Sequence, residues 1–214
     1  MTRLIVVRHG ESEANRKEIF AGHTDAELTD LGRLQAEKLS GYLKNYEIDR
    51  IYSSDLKRAY NTAYPTAKVK GIEIEKNENL REIFAGKWEG EKFEYIYNNY
   101  NESFLMWLND IGKAICDEGE SVVQLKNRIE NEIKKIVREN EGKTVMVVSH
   151  GTPIRSLSCI WNDVDICDMQ KVRWVPNASV SIAEYESADA KPKIVLYGYD
   201  EFLEGATSNL PANV

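Results

Sequence analysis

Short apolar runs at residues 4–7, 48–52, 72–75 and 144–148 alternate along this chain with stretches of helical period. That alternation limits the architecture more than any other feature. Apolar strands joined by helices build a mostly parallel sheet covered on both faces. Thr29 caps a helix with apolar positions at Leu31, Leu34, Leu39, Tyr42 and Leu43, close to a 3.6 period. A second helix begins at Asp55 and is expected to run to about Ala63, where Pro65 limits its continuation. Val122, Leu125, Ile129, Ile133, Ile136 and Val137 mark an amphipathic helix, and residues 152–161 another. The stretch 92–108, rich in Phe, Tyr and Trp, reads as helical, and two further strands are expected near 178–185 and 193–198. The expected fold is α/β: a three-layer α/β/α sandwich on a mostly parallel central sheet, with a small helical lid insertion at about 90–118. One domain is expected over 1–204, with a flexible tail at 205–214.

In such sheets ligands bind beyond the carboxyl ends of the strands, so the residues there carry the functional information. The first strand ends in Arg8-His9-Gly10 and the fourth in Ser149-His150-Gly151. The second ends in Ser53-Ser54-Asp55 with Arg58 one turn on, and Leu80-Arg81-Glu82 follows the third. Of three histidines (His9, His23 and His150), two close matching strands, each before a glycine that lets the backbone turn and approach a ligand.

Two histidines, two arginines and a carboxyl suit a phosphate monoester. Guanidinium forks match phosphate oxygens, each charge-assisted bond contributing roughly 1.5–3 kcal/mol. A histidine aimed at phosphorus can act as the nucleophile, provided its attacking nitrogen is unprotonated. An arginine beside it favours that neutral form. The second histidine is expected to stay cationic beside the phosphate, and the carboxyl to protonate the leaving alkoxide. Taken singly, Arg58 reads equally well as a surface salt bridge and Glu82 as a solvated acid.

Charge and cysteine content narrow the partners. A net charge of −7 gives no general attraction to nucleic acid or an anionic membrane, so an anion site must come from local arginines. The opening MTRLIVVRHG is too short in apolar residues for a secretory h-region, and no later segment reaches membrane-span length. Three cysteines without CxxC spacing, Cys116, Cys159 and Cys167, read as reduced thiols of a cytoplasmic protein. No cluster has metal-ligand spacing, and no cofactor is expected.

Five segments in order resemble the motifs of the histidine phosphatase superfamily, also called the phosphoglycerate mutase-like family: RHGESEAN, GHTDAELTDLG, IYSSDLKRAYNTA, LREIFAGKWEG and VVSHGTPIR. The resemblance spans roughly residues 3–185. It implies His9 as the phosphorylated nucleophile, Arg8, Arg58 and His150 as the phosphate pocket, and Glu82 as the proton donor. It also implies Asn15 as a phosphate contact and the backbone N–H of Thr152, at a helix start, as another. His23 stands where relatives often carry glutamine; it is either a substrate contact, together with Thr24, or an exposed loop residue. Phe84 and Ala85 replace a common polar–aromatic pair.

Phosphatase and mutase share the phosphohistidine. Mutases of the family carry a longer, more basic central insertion, whereas residues 91–120 here hold only Lys92 and Lys113 and no arginine. The expected activity is therefore a metal-independent phosphomonoester phosphatase acting on small phosphorylated metabolites. The alternatives are a cofactor-dependent phosphoglycerate mutase and a catalytically silent relative that binds phosphorylated ligands. Segment 93–107 is either a lid and specificity wall or a helix packed in the core. The family includes monomers, dimers and tetramers, and a homodimer is left open.

Overall fold

The computed structural model describes residues 1–208. Its centre is a six-stranded sheet in the order β3-β2-β4-β1-β5-β6. The strands are β1 (Thr2–Arg8), β2 (Arg50–Ser53), β3 (Ile74–Lys76), β4 (Thr144–Ser149), β5 (Val180–Tyr185) and β6 (Lys193–Tyr199). β1 to β4 pair in parallel, and β5 and β6 add an antiparallel edge. Helices cover both faces: α1 (Glu13–Arg16), α2 (Asp30–Leu43), α3 (Lys57–Lys70), α4 (Phe93–Asn99), α5 (Asn101–Asn109), α6 (Val122–Glu139) and α7 (Gly151–Trp161).

Side-chain alternation explains why the central strands read as unbroken apolar runs. Leu4, Val6, Val145 and Val147 point into a core shared with Ile129, Ile133 and Ile136 of α6 and with Leu157 of α7. Their neighbours Ile5, Val7, Met146 and Val148 point the other way, onto Leu39 and Leu43 of α2 and Ala59 and Ala63 of α3. Both faces are therefore buried. The register then places the site: Arg8 lies opposite Ser149, so β1 and β4 end at one level and deliver His9 and His150 side by side.

The structure corrects several helix expectations. α3 runs past Pro65 to Lys70 and ends at Gly71 in the left-handed region, φ 66°. Thr62, Ala63, Thr66 and Ala67 are buried on either side of the proline, so tertiary packing holds the helix where local sequence predicts its end. Residues 92–108 form two helices rather than one, broken at Tyr100. On α2 the inward face is Gly32, Gln35, Ala36, Leu39, Ser40 and Leu43, while Leu34 is exposed. The inward position 32 admits only glycine, because a Cβ there would fall 2.0 Å from Glu11 O.

The insertion has its own core. Ile96, Phe104 and Trp107 pack with Phe20, Trp88, Ile111 and Leu125. Trp88 is fully buried and meets the rings of Phe20, Phe104 and Trp107 edge-on. Of the tail expected to be flexible, Ala206 O and Ser208 Oγ accept hydrogen bonds from Gln35 Nε2; residues 209–214 lie outside the described residues. No helix among the described residues is long and apolar enough to cross a membrane.

Candidate active site

The strand ends of β1, β2 and β4 open into a cleft. Arg8, His9, Asn15, Arg58, Glu82 and Thr152 line it, with Phe20, Phe93, Trp107 and Trp174 as an aromatic wall.

The tautomer of His9 is set by its surroundings. Nδ1 lies 2.7 Å from Gly10 O. A carbonyl only accepts, so Nδ1 carries the proton and Nε2 keeps its lone pair. The backbone is pinned as well: His9 N donates to Ser149 O, and His9 O accepts from Asn177 Nδ2 at 2.9 Å. Burial pushes the His9 pKa well below its usual value, and the charges of Arg58 and Arg8 push in the same direction. The ring is therefore neutral at pH 7.

His150 is fully buried, with its ring centroid 5.1 Å from that of His9. Nε2 is 2.8 Å from Ser54 Oγ, and Nδ1 has no partner among the described residues. Its pKa is also held well below the usual value, first by burial and then by Arg58 and His9. Burial thus favours the neutral ring, and the cation expected beside a phosphate is favoured only by that nearby anion.

The arginines are buried too. Arg8 Nη1 donates to Val175 O at 2.7 Å. Arg58 Nη2 and Nη1 donate to Gly22 O and Thr24 O at 2.7 and 2.8 Å. Among the described residues Arg58 makes no surface salt bridge; it is 1% exposed. Each arginine retains an Nε without a partner among the described residues. Burial lowers both pKa values to about 10, which leaves them charged at neutral pH. Buried donors without acceptors are costly. An oxyanion has the acceptors that such donors need.

Glu82 follows a short 3-10 turn, Glu78–Leu80. Its carboxylate accepts from Ile83 N at 2.8 Å and Thr152 N at 3.2 Å. The Thr152 N–H expected on phosphate therefore points at the carboxyl in this structure. Asn15 lines the cleft, with Oδ1 taken up by Ser12 N and Oγ in a capping box. His23 and Thr24 lie off the cleft lining. His23 Nε2 donates to Glu82 O at 2.9 Å, and its ring packs 5.3 Å from that of Phe84. Thr24 N and Oγ1 donate to Glu89 Oε2, both at 2.8 Å.

The two His-Gly glycines are required for a reason other than the expected one. Neither has a positive φ. A Cβ on Gly10 would fall 2.7 Å from Gly32 O, and one on Gly151 3.0 Å from the Trp174 ring and 3.3 Å from Arg8 Cζ. They admit neighbouring protein groups rather than a sharp turn.

Residues 4–198 match the histidine phosphatase superfamily (branch 1).

The chain belongs to that superfamily.

It is 35% identical to phosphoserine phosphatase 1 of Hydrogenobacter thermophilus over 186 residues, 87% of this chain and 88% of the relative. The structure of Bacillus stearothermophilus YhfR superposes with a TM-score of 0.90 at 28% identity, covering 95% of this chain and all 100% of that one. A phosphoserine phosphatase from Entamoeba histolytica, in complex with 3-phosphoglyceric acid, superposes at 0.81 with 29% identity, covering 95% and 100%. This superfamily chain carries its cleft at the carboxyl ends of the strands.

Sequence reasoning passed over several residues of the site. Ser54 orients His150 and stands at a strand end already singled out. Glu89, in the WEG segment, holds the loop that receives Arg58. Trp174 and Asn177 come from the irregular stretch before β5, which carries no local signal.

Proposed function

We propose that this chain is a metal-independent phosphatase that hydrolyses phosphate monoesters of small metabolites through a phosphohistidine. The observation that carries this reading is the unprotonated Nε2 of His9, fixed by the Nδ1–H bond to Gly10 O beside two buried guanidinium groups. Nε2 attacks phosphorus and the bond from phosphorus to the leaving oxygen breaks. Glu82, protonated, gives its proton to that oxygen. Water then attacks the phosphohistidine, the P–N bond breaks, and the Glu82 carboxylate takes the water's proton as inorganic phosphate forms. Arg8, Arg58 and His150 hold the equatorial oxygens throughout.

Outside the phosphate end, the cleft wall is Ile19, Phe20, Ala21, Phe93, Trp107 and Trp174, and its only arginines are Arg8 and Arg58. That composition favours transfer to water over return to a bound phosphoglycerate, whose carboxylate needs a cation. Phosphoserine, the substrate named for the Hydrogenobacter relative, carries a carboxylate as well, so its turnover relative to uncharged alkyl phosphates tests this reading of the wall. The three unpaired cysteines fit the reducing cytoplasm. The test is turnover of a phosphate-ester panel in EDTA, with acid-labile labelling of the protein by substrate. His9→Ala should abolish both. Label and turnover surviving in that variant would remove the nucleophile. Conversion of 3- to 2-phosphoglycerate would make the chain a mutase, and silence across the panel a binding protein.

A further inference from the structure

The segment that delivers Glu82 to the cleft has almost no backbone structure of its own. After the turn at Glu78–Leu80, residues 81–85 lie outside any helix or strand. Side chains of α6 hold it instead. Arg128 Nη1 donates to Asn79 O at 2.8 Å and Arg81 O at 3.0 Å, and Nη2 donates to Glu82 O at 3.1 Å. Nε and Nη2 also donate to the two oxygens of Glu120, at 3.0 and 2.8 Å. One turn along the helix, Glu132 accepts from Asn77 Nδ2 at 2.8 Å and Asn79 Nδ2 at 2.7 Å. Glu120 completes the frame: its N donates to Phe84 O, and its Oε2 accepts from Phe84 N.

A guanidinium has five N–H donors in one plane. Those of Arg128 make five contacts: three with consecutive parts of one loop and two with a carboxylate that grips the same loop. The side chain is only 20% exposed. It lines no part of the cleft, so it touches neither phosphate nor leaving group. Its contacts end on the carbonyl of Glu82 itself, to which His23 Nε2 also donates.

We infer that Arg128, braced by Glu120, is the positioning residue for the proton donor: it sets where the Glu82 carboxyl stands relative to the leaving oxygen. This rests on the phosphatase reading above. Proton donation matters for alkyl esters, whose alkoxide is a poor leaving group, and little for p-nitrophenyl phosphate, whose phenolate leaves unaided. The signature of a misplaced donor is therefore a selective loss. Arg128→Met should lower kcat/KM for alkyl phosphates by about 10–100-fold, the scale on which small misplacements act, and for p-nitrophenyl phosphate by less than about threefold. Arg128→Lys keeps the charge beside Glu120 but cannot span three carbonyls, and should show the same selectivity with a smaller loss.

The decisive measurement is a double-mutant cycle with Glu82→Gln, using kcat/KM on both substrate types. In the Glu82→Gln background, Arg128→Met should have almost no further effect on alkyl esters, because the group it positions is gone. Equal losses on both substrates, or additive losses in the double variant, would overturn the inference. Unfolding of both Arg128 variants by circular dichroism would do the same, leaving Arg128 a residue of stability alone. If Glu82→Gln itself shows no leaving-group dependence, the role of Glu82 fails instead, and the two failures are told apart.

Discussion

Glu89 offers the most direct check on how this site is built. Its Oε1 accepts from His23 N at 2.8 Å and Ala85 N at 2.9 Å, and its Oε2 from Thr24 N and Thr24 Oγ1 at 2.8 Å each. Four donors thus converge on one carboxylate, and they fix the loop whose Gly22 and Thr24 carbonyls receive Arg58. Gly22 is part of the same contact: it has φ 47°, and a Cβ there would sit 2.2 Å from Glu89 Oε1. Glu89→Gln preserves shape but replaces one oxygen by an NH2 group. With that NH2 turned toward Thr24, whose hydroxyl can rotate to accept from it, one of the four donors, Thr24 N, faces a donor. At about 1–3 kcal/mol for a donor left unsatisfied, and with this half-buried site at the lower end, the cost is about 1–2 kcal/mol. For a chain of this size that is a fall in Tm of about 2–8 °C. Because Arg58 loses its anchorage, kcat/KM should also drop at least about tenfold, or about 1.4 kcal/mol. Thr24→Ala removes a single one of the four bonds and should cost less than half as much on both readouts. Thermal unfolding followed by circular dichroism and p-nitrophenyl phosphate kinetics measure these. A Glu89→Gln protein with the Tm and kcat/KM of the parent would show that the loop is held by something else. A rise in KM specific to Thr24→Ala would restore Thr24 as a substrate contact.

Two further outcomes follow from the geometry. Gly151→Ala puts a methyl 3.0 Å from the Trp174 ring and 3.3 Å from Arg8 Cζ; it should destabilise by about 1–3 kcal/mol and lower kcat/KM by displacing Arg8, whereas full activity would mean that the ring simply yields. The second outcome concerns His9 and His150, whose pKa values are held well below 6.5 in the native state. At pH above about 7 both are neutral whether folded or not, but as pH falls through 6.5 the unfolded chain takes up protons that the native state refuses. Stability should therefore decline below pH 6.5 by up to about 1.4 kcal/mol per pH unit for each histidine. Urea unfolding between pH 7.5 and 5.5 tests this. His9→Ala should remove one proton's share of the slope, and a flat profile in the parent would refute the buried neutral pair.

The sequence by itself determined the sheet and the phosphate end of the site. Strand runs buried on both faces are written as continuous apolar residues, and strand-end chemistry lies next to them in the chain, so His9, Arg8 and His150 were legible from local pattern, whereas Arg58 and Glu82 needed the resemblance to the family as well. α6 was equally plain, because its inward face repeats with the helical period. What local pattern could not decide was anything fixed by contacts between distant segments. Pro65 stays inside α3 because buried neighbours on both sides outweigh its local cost. Residues 92–108 break at Tyr100 to wrap an aromatic core. The proton state of His150 depends on burial and on Arg58, 92 positions away in sequence. Local sequence left His23 open between a substrate contact, together with Thr24, and an exposed loop residue; in the structure their donors go to Glu82 O and Glu89. Arg128 and Glu89 carry no strand-end signature at all. Their roles arise only when the fold brings a helix face and a loop against the irregular segment around Glu82. A polar side chain's function depends on which donors and acceptors it meets, and the tertiary structure alone sets that.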